Sequence, residues 1–242
     1  MRVDDFIVFG RTAPEDSKKY GQSVCMAGYS EELRQLLRLY PMNIRSKVRA
    51  RCKISVEIER NNKDSRFESW TLKDRTEDSI LNVSSPIDKD AILPILKKNA
   101  VESIKELNEK RLSLGIIKPE KYEIQLKTRA NIAVPGQLTL FDSFRKSVGV
   151  KTANNYFHAP YLRIYADDSQ SCLQIREWGI YELIRRYEKE GKAITDQDIK
   201  RALHIGDGKD AFFIIGNMVS VRNVWLVIKV FTYDKQPQNV LF

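Results

Sequence analysis

Histidine and cysteine are scarce in this chain, which argues against several classes of site. Two histidines, His158 and His204, and three cysteines, Cys25, Cys52 and Cys172, occur in 242 residues, with no CxxC or HxxxH spacing. Structural zinc needs four ligands at close spacing, so no zinc site is predicted, and no other metal or cofactor. The odd, scattered cysteines are typical of a reduced cytoplasmic protein rather than a disulfide scaffold.

Long apolar runs and nucleotide-binding loops are also missing. No apolar stretch approaches the ~18 residues of a membrane span, and the N-terminal sequence MRVDDFIVFG lacks the apolar core of a signal peptide. The Walker A, GxGxxG and GxSxG patterns are absent. We therefore expect a protein of the cytoplasm with no membrane partner.

Acidic residues are absent from residues 33–56, where basic residues accumulate. Residues 48–60, VRARCKISVEIER, alternate strictly and predict a long strand with one apolar and one basic face. The formal charge of +9 and a pI of about 9.4 agree with a polyanionic partner. The alternative is a solvated face without a ligand. The predicted nucleic-acid contacts here are Arg34, Arg38, Arg45, Lys47, Arg49, Arg51 and Lys53.

A second basic and aromatic stretch lies in NYFHAPYLRIYA, residues 155–166. Tyr161, Arg163 and Tyr165 fall on one side of the predicted strand, as a stacking platform for unpaired bases would require. Leu162 and Ile164 fall on the other side and need burial more than Arg163 does. The alternative is that the tyrosines belong to the core. Arg66, in the predicted hairpin at residues 60–70, is a further candidate contact, the alternative being that it pairs with Asp64 beside the turn.

The order of elements predicts an α+β fold of two small β-barrels, joined and flanked by helices. Short strands fill residues 1–86, the first barrel. Residues 87–150 are the connection, with a helix at 88–114, a strand at 122–129 and a linker at 131–150. Residues 151–242 are the second domain, also predicted as a small barrel. It includes a helix at 173–187, a capping box at 195–198 and two closing strands.

Four segments together resemble a known family. They read SVCMAGYSEELRQLLRLYPM, ISVEIERNNKDSRFESWTL, LQIREWGIYELIRRY and FFIIGN followed by VWLVIKVF. They are similar to the dual-OB proteins, uncharacterised prokaryotic proteins grouped with defence and conflict-system gene neighbourhoods. The resemblance implies two OB-like barrels and a non-catalytic nucleic-acid sensor or adaptor, working with other subunits of a defence complex. Relatives often carry a Cys/His cluster before the QIxEW helix, where this chain has only Cys172.

A short peptide in the predicted linker resembles the QLxLF motif by which bacterial replication and repair proteins dock on the sliding clamp. Its residues are Gln137, Leu138, Leu140 and Phe141. The alternative is an apolar strap that packs on a barrel.

Two other function classes stay open from the sequence. The first is a metal-dependent nuclease or nuclease subunit, which would need Glu57, Glu59, Asp64 and Glu68 to converge on a metal ion. The second is a scaffold subunit that binds only protein. The first reading, single-stranded nucleic-acid binding without catalysis, is favoured because of the basic and aromatic stretches. The sequence does not choose between DNA, RNA and a nucleotide ligand.

Overall fold

Two β-sheets of seven strands each form the frame of the protein. The computed structural model describes residues 1–17, 19–61, 64–128, 151–166, 169–219 and 221–235. The first sheet comprises β1 (Arg2–Arg11), β2 (Glu15–Ser17), β3 (Gly21–Ser30), β4 (Gln35–Asn43), β5 (Cys52–Arg60), β6 (Ser69–Leu72) and β7 (Ile80–Pro86). The second comprises β8 (Ala100–Val101), β9 (Leu114–Ile117), β10 (Lys121–Thr128), β11 (His158–Ala166), β12 (Ser169–Ile175), β13 (Lys209–Asn217) and β14 (Trp225–Asp234).

The first sheet closes into a five-stranded barrel. Its order is β1-β3-β4-β6-β5, and β5 pairs back onto β1 to close the ring. The β4–β6 pair is parallel, whereas the other four pairs of the ring are antiparallel. Alternating apolar residues from the strands fill the interior, among them Phe6, Met26, Leu39 and Ile54, each at most 1% exposed. The prediction of a β-barrel in the first part is thus confirmed.

The second sheet repeats the connectivity of the barrel. Its order is β10-β11-β12-β14-β13-β9-β8, and β12 runs parallel to β14. Numbered one to five along the chain, strands β10 to β14 lie side by side in the order one, two, three, five, four. The barrel strands β1, β3, β4, β5 and β6, numbered in the same way, lie in the same order. In the barrel the fourth strand pairs with the first. In the second sheet the fourth strand, β13, pairs instead with β9.

Four α-helices are described, besides four 3₁₀ turns at Lys73–Arg75, Glu77–Ser79, Asp90–Ile92 and Ala153–Asn155. The α-helices are α1 (Leu93–Asn99), α2 (Ile104–Glu109), α3 (Trp178–Lys189) and α4 (Asp196–Ala202). The predicted capping box is confirmed, because the Thr195 side chain accepts from the Asp198 backbone N–H while the Asp198 carboxylate accepts from Thr195. Within the described ranges, no helix has both the length and the apolar character needed to cross a membrane.

The prediction of one helix at 88–114 is wrong. Asn99 ends α1, and the extended pair β8 then hydrogen-bonds in parallel to β9 in the second sheet. The Ser103 side chain accepts from the Glu106 N–H at 3.4 Å and starts α2 as a separate helix. The predicted helix at 173–187 also begins later, at Trp178, because residues up to Ile175 complete β12.

The barrel and the second sheet share an apolar core at their seam. Phe9 and Tyr29 from the barrel pack with Phe212, Ile228 and Phe231 from β13 and β14. The Phe9 and Phe231 rings meet edge to face, with centroids 5.8 Å apart. The second sheet therefore covers part of the outer surface of β3 and β4. This seam determines where charged residues of the barrel can lie.

Candidate nucleic-acid interface

The outward side of β11 carries the aromatic and basic residues that the sequence placed together. Tyr161, Arg163 and Tyr165 are half-buried there, whereas Leu162 and Ile164 are 0% and 3% exposed in the core. Successive side chains of a strand point to opposite faces, so burial of the aliphatic pair directs the tyrosines away from the core. The predicted orientation is confirmed, and the ligand stays a prediction.

Strand pairing supplies the neighbours of these three residues. Arg163 lies opposite Glu123 on β10 and opposite Cys172 on β12. Tyr161 and Tyr165 lie two residues to either side, so the surface spans three strands. We call it the β10–β12 face; it comprises Lys121, Glu123, Gln125, Lys127, Tyr161, Arg163, Tyr165, Gln170 and Cys172.

Each tyrosine of the β10–β12 face has a lysine at its ring. The Lys127 Nζ lies 4.6 Å from the Tyr161 ring centroid, and the Lys121 Nζ lies 5.4 Å from the Tyr165 centroid. These distances fall within the ~6 Å at which a cation is attracted to an aromatic face. The Tyr165 hydroxyl donates to Glu123 at 2.9 Å. The face thus combines two rings, three cations and one carboxylate.

Lys121 and Lys127 are residues of this face that sequence reasoning missed. Neither lysine was among the predicted contacts, and neither was linked to a tyrosine. The link depends on the register in which Lys121 pairs with Tyr165 and Gln125 with Tyr161. The strands that form this pair are separated by residues 129–157, and alternation within each strand fixes its faces but not the register between them.

The predicted basic strand is shorter than residues 48–60. β5 begins at Cys52, and of the basic residues from 45 to 53 only Lys53 lies on it. Arg51 adopts a left-handed backbone with φ of 68°, which ends the extended chain, and its guanidinium donates to the Ile87 carbonyl at 3.1 Å. The other predicted contacts here lie exposed in loops: Arg34, Arg45, Lys47 and Arg49. The uniform basic strand face is therefore wrong, although several of its cations are accessible.

Arg38 and Arg66 are not solvent-exposed contacts, contrary to the prediction. Arg38 is 2% exposed, and its Nη2 donates to the Ser113 carbonyl at 2.5 Å. Arg66 is 7% exposed, pairs with Asp64 at 2.6 Å, and donates to the Asn217 carbonyl at 2.5 Å. The second sheet accounts for both positions, since Ser113 and Asn217 at its strand ends accept from the two guanidiniums.

Glu68 completes a buried polar group with the two arginines. It is 2% exposed, and its carboxylate accepts from the Ser113 N–H at 2.7 Å, the Ser113 hydroxyl at 2.7 Å and the Leu114 N–H at 3.3 Å. These bonds tie the β5–β6 hairpin to the second sheet. We call the group the seam cluster; its members are Arg38, Asp64, Arg66, Glu68, Ser113 and Asn217.

Replacing Asp64 by Asn should destabilise the protein at neutral pH and progressively less in acid. Burial disfavours the Asp64 carboxylate, but the hydrogen bonds and charge of Arg66 outweigh it and lower its pKa from 3.8. An acid whose pKa is lower in the folded than in the unfolded chain stabilises the fold at pH values above its unfolded pKa. This contribution is lost as the pH falls through the folded pKa.

Urea unfolding of wild type and Asp64→Asn at pH 7, 5 and 3 measures this linkage. The stability difference should shrink below about pH 4. Asp74→Asn, at an exposed position, is the control and should differ little from wild type at any pH. A difference for Asp64→Asn that stays constant or grows in acid would contradict the assignment.

The four carboxylates of the nuclease alternative do not converge. Glu57 pairs with Lys73 at 3.2 Å, Glu59 is exposed at the end of β5, and Asp64 and Glu68 are engaged in the seam cluster. Over the residues described, no group of three or more His, Cys, Asp or Glu side chains could hold a metal ion. The clamp-like peptide Gln137, Leu138, Leu140 and Phe141 lies outside the described residues.

The QIREW segment is a structural link between the halves. The Glu177 carboxylate accepts from the Lys229 ammonium and from the Val230 N–H, the latter at 3.0 Å. The guanidinium of Arg11 lies over the Trp178 ring, 4.1 Å from the ring centroid. The Arg176 backbone carbonyl accepts from the Ala13 N–H at 2.6 Å. The motif therefore joins β1 and its following loop to β14 and α3.

Comparison with known proteins adds little to this geometry. The model of a family described as a domain of unknown function (DUF8758) matches residues 3–98, the barrel and the start of the connection. No curated protein matches the chain. A solved structure titled "Molecular basis for abrogation of activation of pro-inflammatory cytokines" is 11% identical, with coverage of 96% of this chain and 91% of that one. Its TM-score of 0.33 is too low to support an argument.

Proposed function

We propose that the protein binds single-stranded nucleic acid, without cleaving it, on the β10–β12 face. The observation that carries the proposal is the outward alternation of Tyr161, Arg163 and Tyr165, with a lysine at each ring. Proteins that hold single strands combine aromatic rings for stacking with a basic groove for phosphates. A duplex keeps its bases stacked inside and offers this surface only phosphates, so the rings favour unpaired strands.

The spacing along β11 suits bases of an extended, unstacked strand. Tyr161 and Tyr165 are four residues apart, which is about 13.6 Å on a strand and roughly four times the 3.4 Å rise of stacked bases. One base of an extended strand can therefore stack on each ring while Arg163, midway between the rings, reaches a phosphate. A base that takes the ring face displaces the ammonium of Lys127 or Lys121, which then becomes available to a phosphate.

The sheet connectivity supports an OB-like interpretation of both halves. The OB-fold is a five-stranded Greek-key barrel that binds oligonucleotides on the face of its second and third strands. In the shared strand order, β11 and β12 occupy those positions in the second half, where Tyr161, Arg163 and Tyr165 lie. Together with the dual-OB resemblance, this extends the proposal to a cytoplasmic adaptor or sensor subunit of a prokaryotic defence or DNA-processing system.

Replacing Tyr161 by Ala should weaken single-stranded binding by about tenfold or more while leaving the melting temperature nearly unchanged. Stacking on one ring contributes ~1–3 kcal/mol per base, and 1.4 kcal/mol corresponds to about a factor of ten. Fluorescence anisotropy with labelled single-stranded DNA and RNA measures the loss. Tyr161→Phe keeps the ring and should bind like wild type. Unfolding of Tyr161→Ala, or unchanged affinity, would contradict the proposal.

A further inference from the structure

A cleft of about 270 Å³ opens at the seam between the barrel and the second sheet. Cys25 and Tyr40 of β3 and β4 line one side, and Leu226 and Ile228 of β14 line the other. Ligand pockets usually span ~300–1,000 Å³, so this cleft suits one small ring system rather than an extended chain. It lies apart from the β10–β12 face, on different strands and between different residues.

Asn217 holds a buried, unpaired side-chain oxygen beside the cleft. The residue lines the cleft and is 8% exposed, and its Oδ1 makes no hydrogen bond. An asparagine side chain turns easily about its last torsion, because that torsion is broad, so the amide can present its edge to the cleft. A primary amide pairs through one donor and one acceptor, the arrangement by which Asn reads adenine.

Gly216 keeps the floor of the cleft flat. A Cβ at this position would lie 2.6 Å from the Arg38 Nη2 and 3.0 Å from the Ile228 Cδ1. A contact of 2.6 Å is shorter than real Cβ atoms make, so a side chain here would displace the buried guanidinium. The absence of a side chain lets Arg38 lie against β13 beneath the cleft.

The charges around the cleft favour a neutral ligand over a phosphate. The guanidinium of Arg66 is already paired with Asp64, and that of Arg38 is already bound to Ser113. Glu15 lies on the lining but is paired with Arg176 at 3.4 Å, which leaves the Asp16 carboxylate of the lining to repel an anion. Met218 and Val219, 36% and 52% exposed, add apolar surface at the mouth that a ring would cover.

We infer that the seam cleft is a nucleobase pocket in which one unstacked base is held against Asn217, with its phosphates outside. The cleft lies on the outer side of β3 and β4, the second and third strands of the barrel order. That is the position of the ligand face in an OB-fold. The inference rests on the proposed function, since it adds a base-binding pocket to a protein that binds single strands.

Titration of the full chain with adenosine, followed by calorimetry, tests the pocket. We expect saturable 1:1 binding, whereas ribose alone should not bind. Asn217→Leu should weaken adenosine binding by about tenfold or more, with an unchanged or higher melting temperature, because it removes a buried, unpaired oxygen. Val219→Trp should also block the mouth. The matched control is Val224→Trp, on the same hairpin but outside the lining, which should bind normally.

The outcomes separate this pocket from the proposed function. Tyr161→Ala should leave adenosine binding intact and weaken only oligonucleotides. Oligonucleotide binding without any adenosine binding would overturn the pocket and leave the β10–β12 face standing. Adenosine binding that survives both Asn217→Leu and Val219→Trp would also overturn it. AMP or inorganic phosphate binding more tightly than adenosine would identify an anion site instead and refute the nucleobase assignment.

Discussion

Glu68→Ala is expected to destabilise the folded protein by about 3–5 kcal/mol, the usual cost of removing one partner from a buried charged group. The carboxylate is 2% exposed and accepts from two backbone N–H groups and one hydroxyl. Without it, the Ser113 and Leu114 N–H groups lose their acceptor inside the seam. The seam cluster also loses one of its two carboxylates, so Asp64 alone is left to balance the buried guanidiniums of Arg38 and Arg66.

Chemical denaturation of Glu68→Ala against wild type measures this loss. Glu59→Ala is the matched control, because Glu59 is exposed on the strand that leads into the same hairpin. It should change the free energy of unfolding by no more than about 0.5 kcal/mol. If both variants lose the same small amount, the seam cluster does not hold the two halves together.

Removing the three cations of the β10–β12 face should lower single-strand affinity by about a hundredfold at 0.1 M salt and reduce the salt dependence. Each phosphate contact on a single strand contributes ~0.7 units to the slope of log affinity against log salt. The variant Lys121→Ala, Lys127→Ala, Arg163→Ala should therefore lose about two units of slope. The cores of β10 and β11 are on the opposite side and should stay intact.

A second triple variant on the barrel decides between the two basic surfaces. Lys47, Arg49 and Lys53 are exposed and carry the same total charge. The sequence predicted phosphate contacts there. The geometry favours the β10–β12 face because two lysines lie at outward tyrosine rings on it, whereas the cation–ring pairs of the described residues include none of Lys47, Arg49 and Lys53. A larger loss of slope in the barrel variant would relocate the interface to the barrel.

Alternation predicted which residues face inward, because burial is decided strand by strand. Cys52, Ile54, Val56 and Ile58 are core residues of the barrel, as the pattern of residues 48–60 indicated. Leu162 and Ile164 are core residues of the second sheet. In both strands the apolar residues all lie on one face. Their alternation was therefore enough to predict which face is buried.

Alternation could not predict what lies on the other face of a strand. Leu37 and Leu39 fill the barrel, so Arg38 points out of it, as expected for a surface residue. The outside of β4, however, is covered by the second sheet, and the guanidinium meets Ser113 rather than solvent. A pattern within one strand carries no information on which distant element packs against it.

Long-range pairing limited the remaining predictions. The parallel pairing of β8 with β9 divides the predicted long helix, and no local sequence pattern indicated this pairing. The seam cleft is lined by residues from both sheets, between Thr12 and Ile228 in the sequence, so it exists only where the two sheets meet. Asn217 and Gly216 stand in an ordinary-looking strand sequence, and the structure alone shows that one has an unpaired oxygen and the other needs to lack a side chain.

Ultraviolet cross-linking of the full chain to a single-stranded oligonucleotide, followed by peptide mass spectrometry, locates the strand on the protein surface. Aromatic side chains stacked on bases are the groups placed to cross-link. We expect cross-linked peptides that contain Tyr161 or Tyr165, and their loss when excess unlabelled strand competes. Absence of any cross-link in the segment 156–166, with strong cross-links in the loop before β5, would contradict binding on the β10–β12 face.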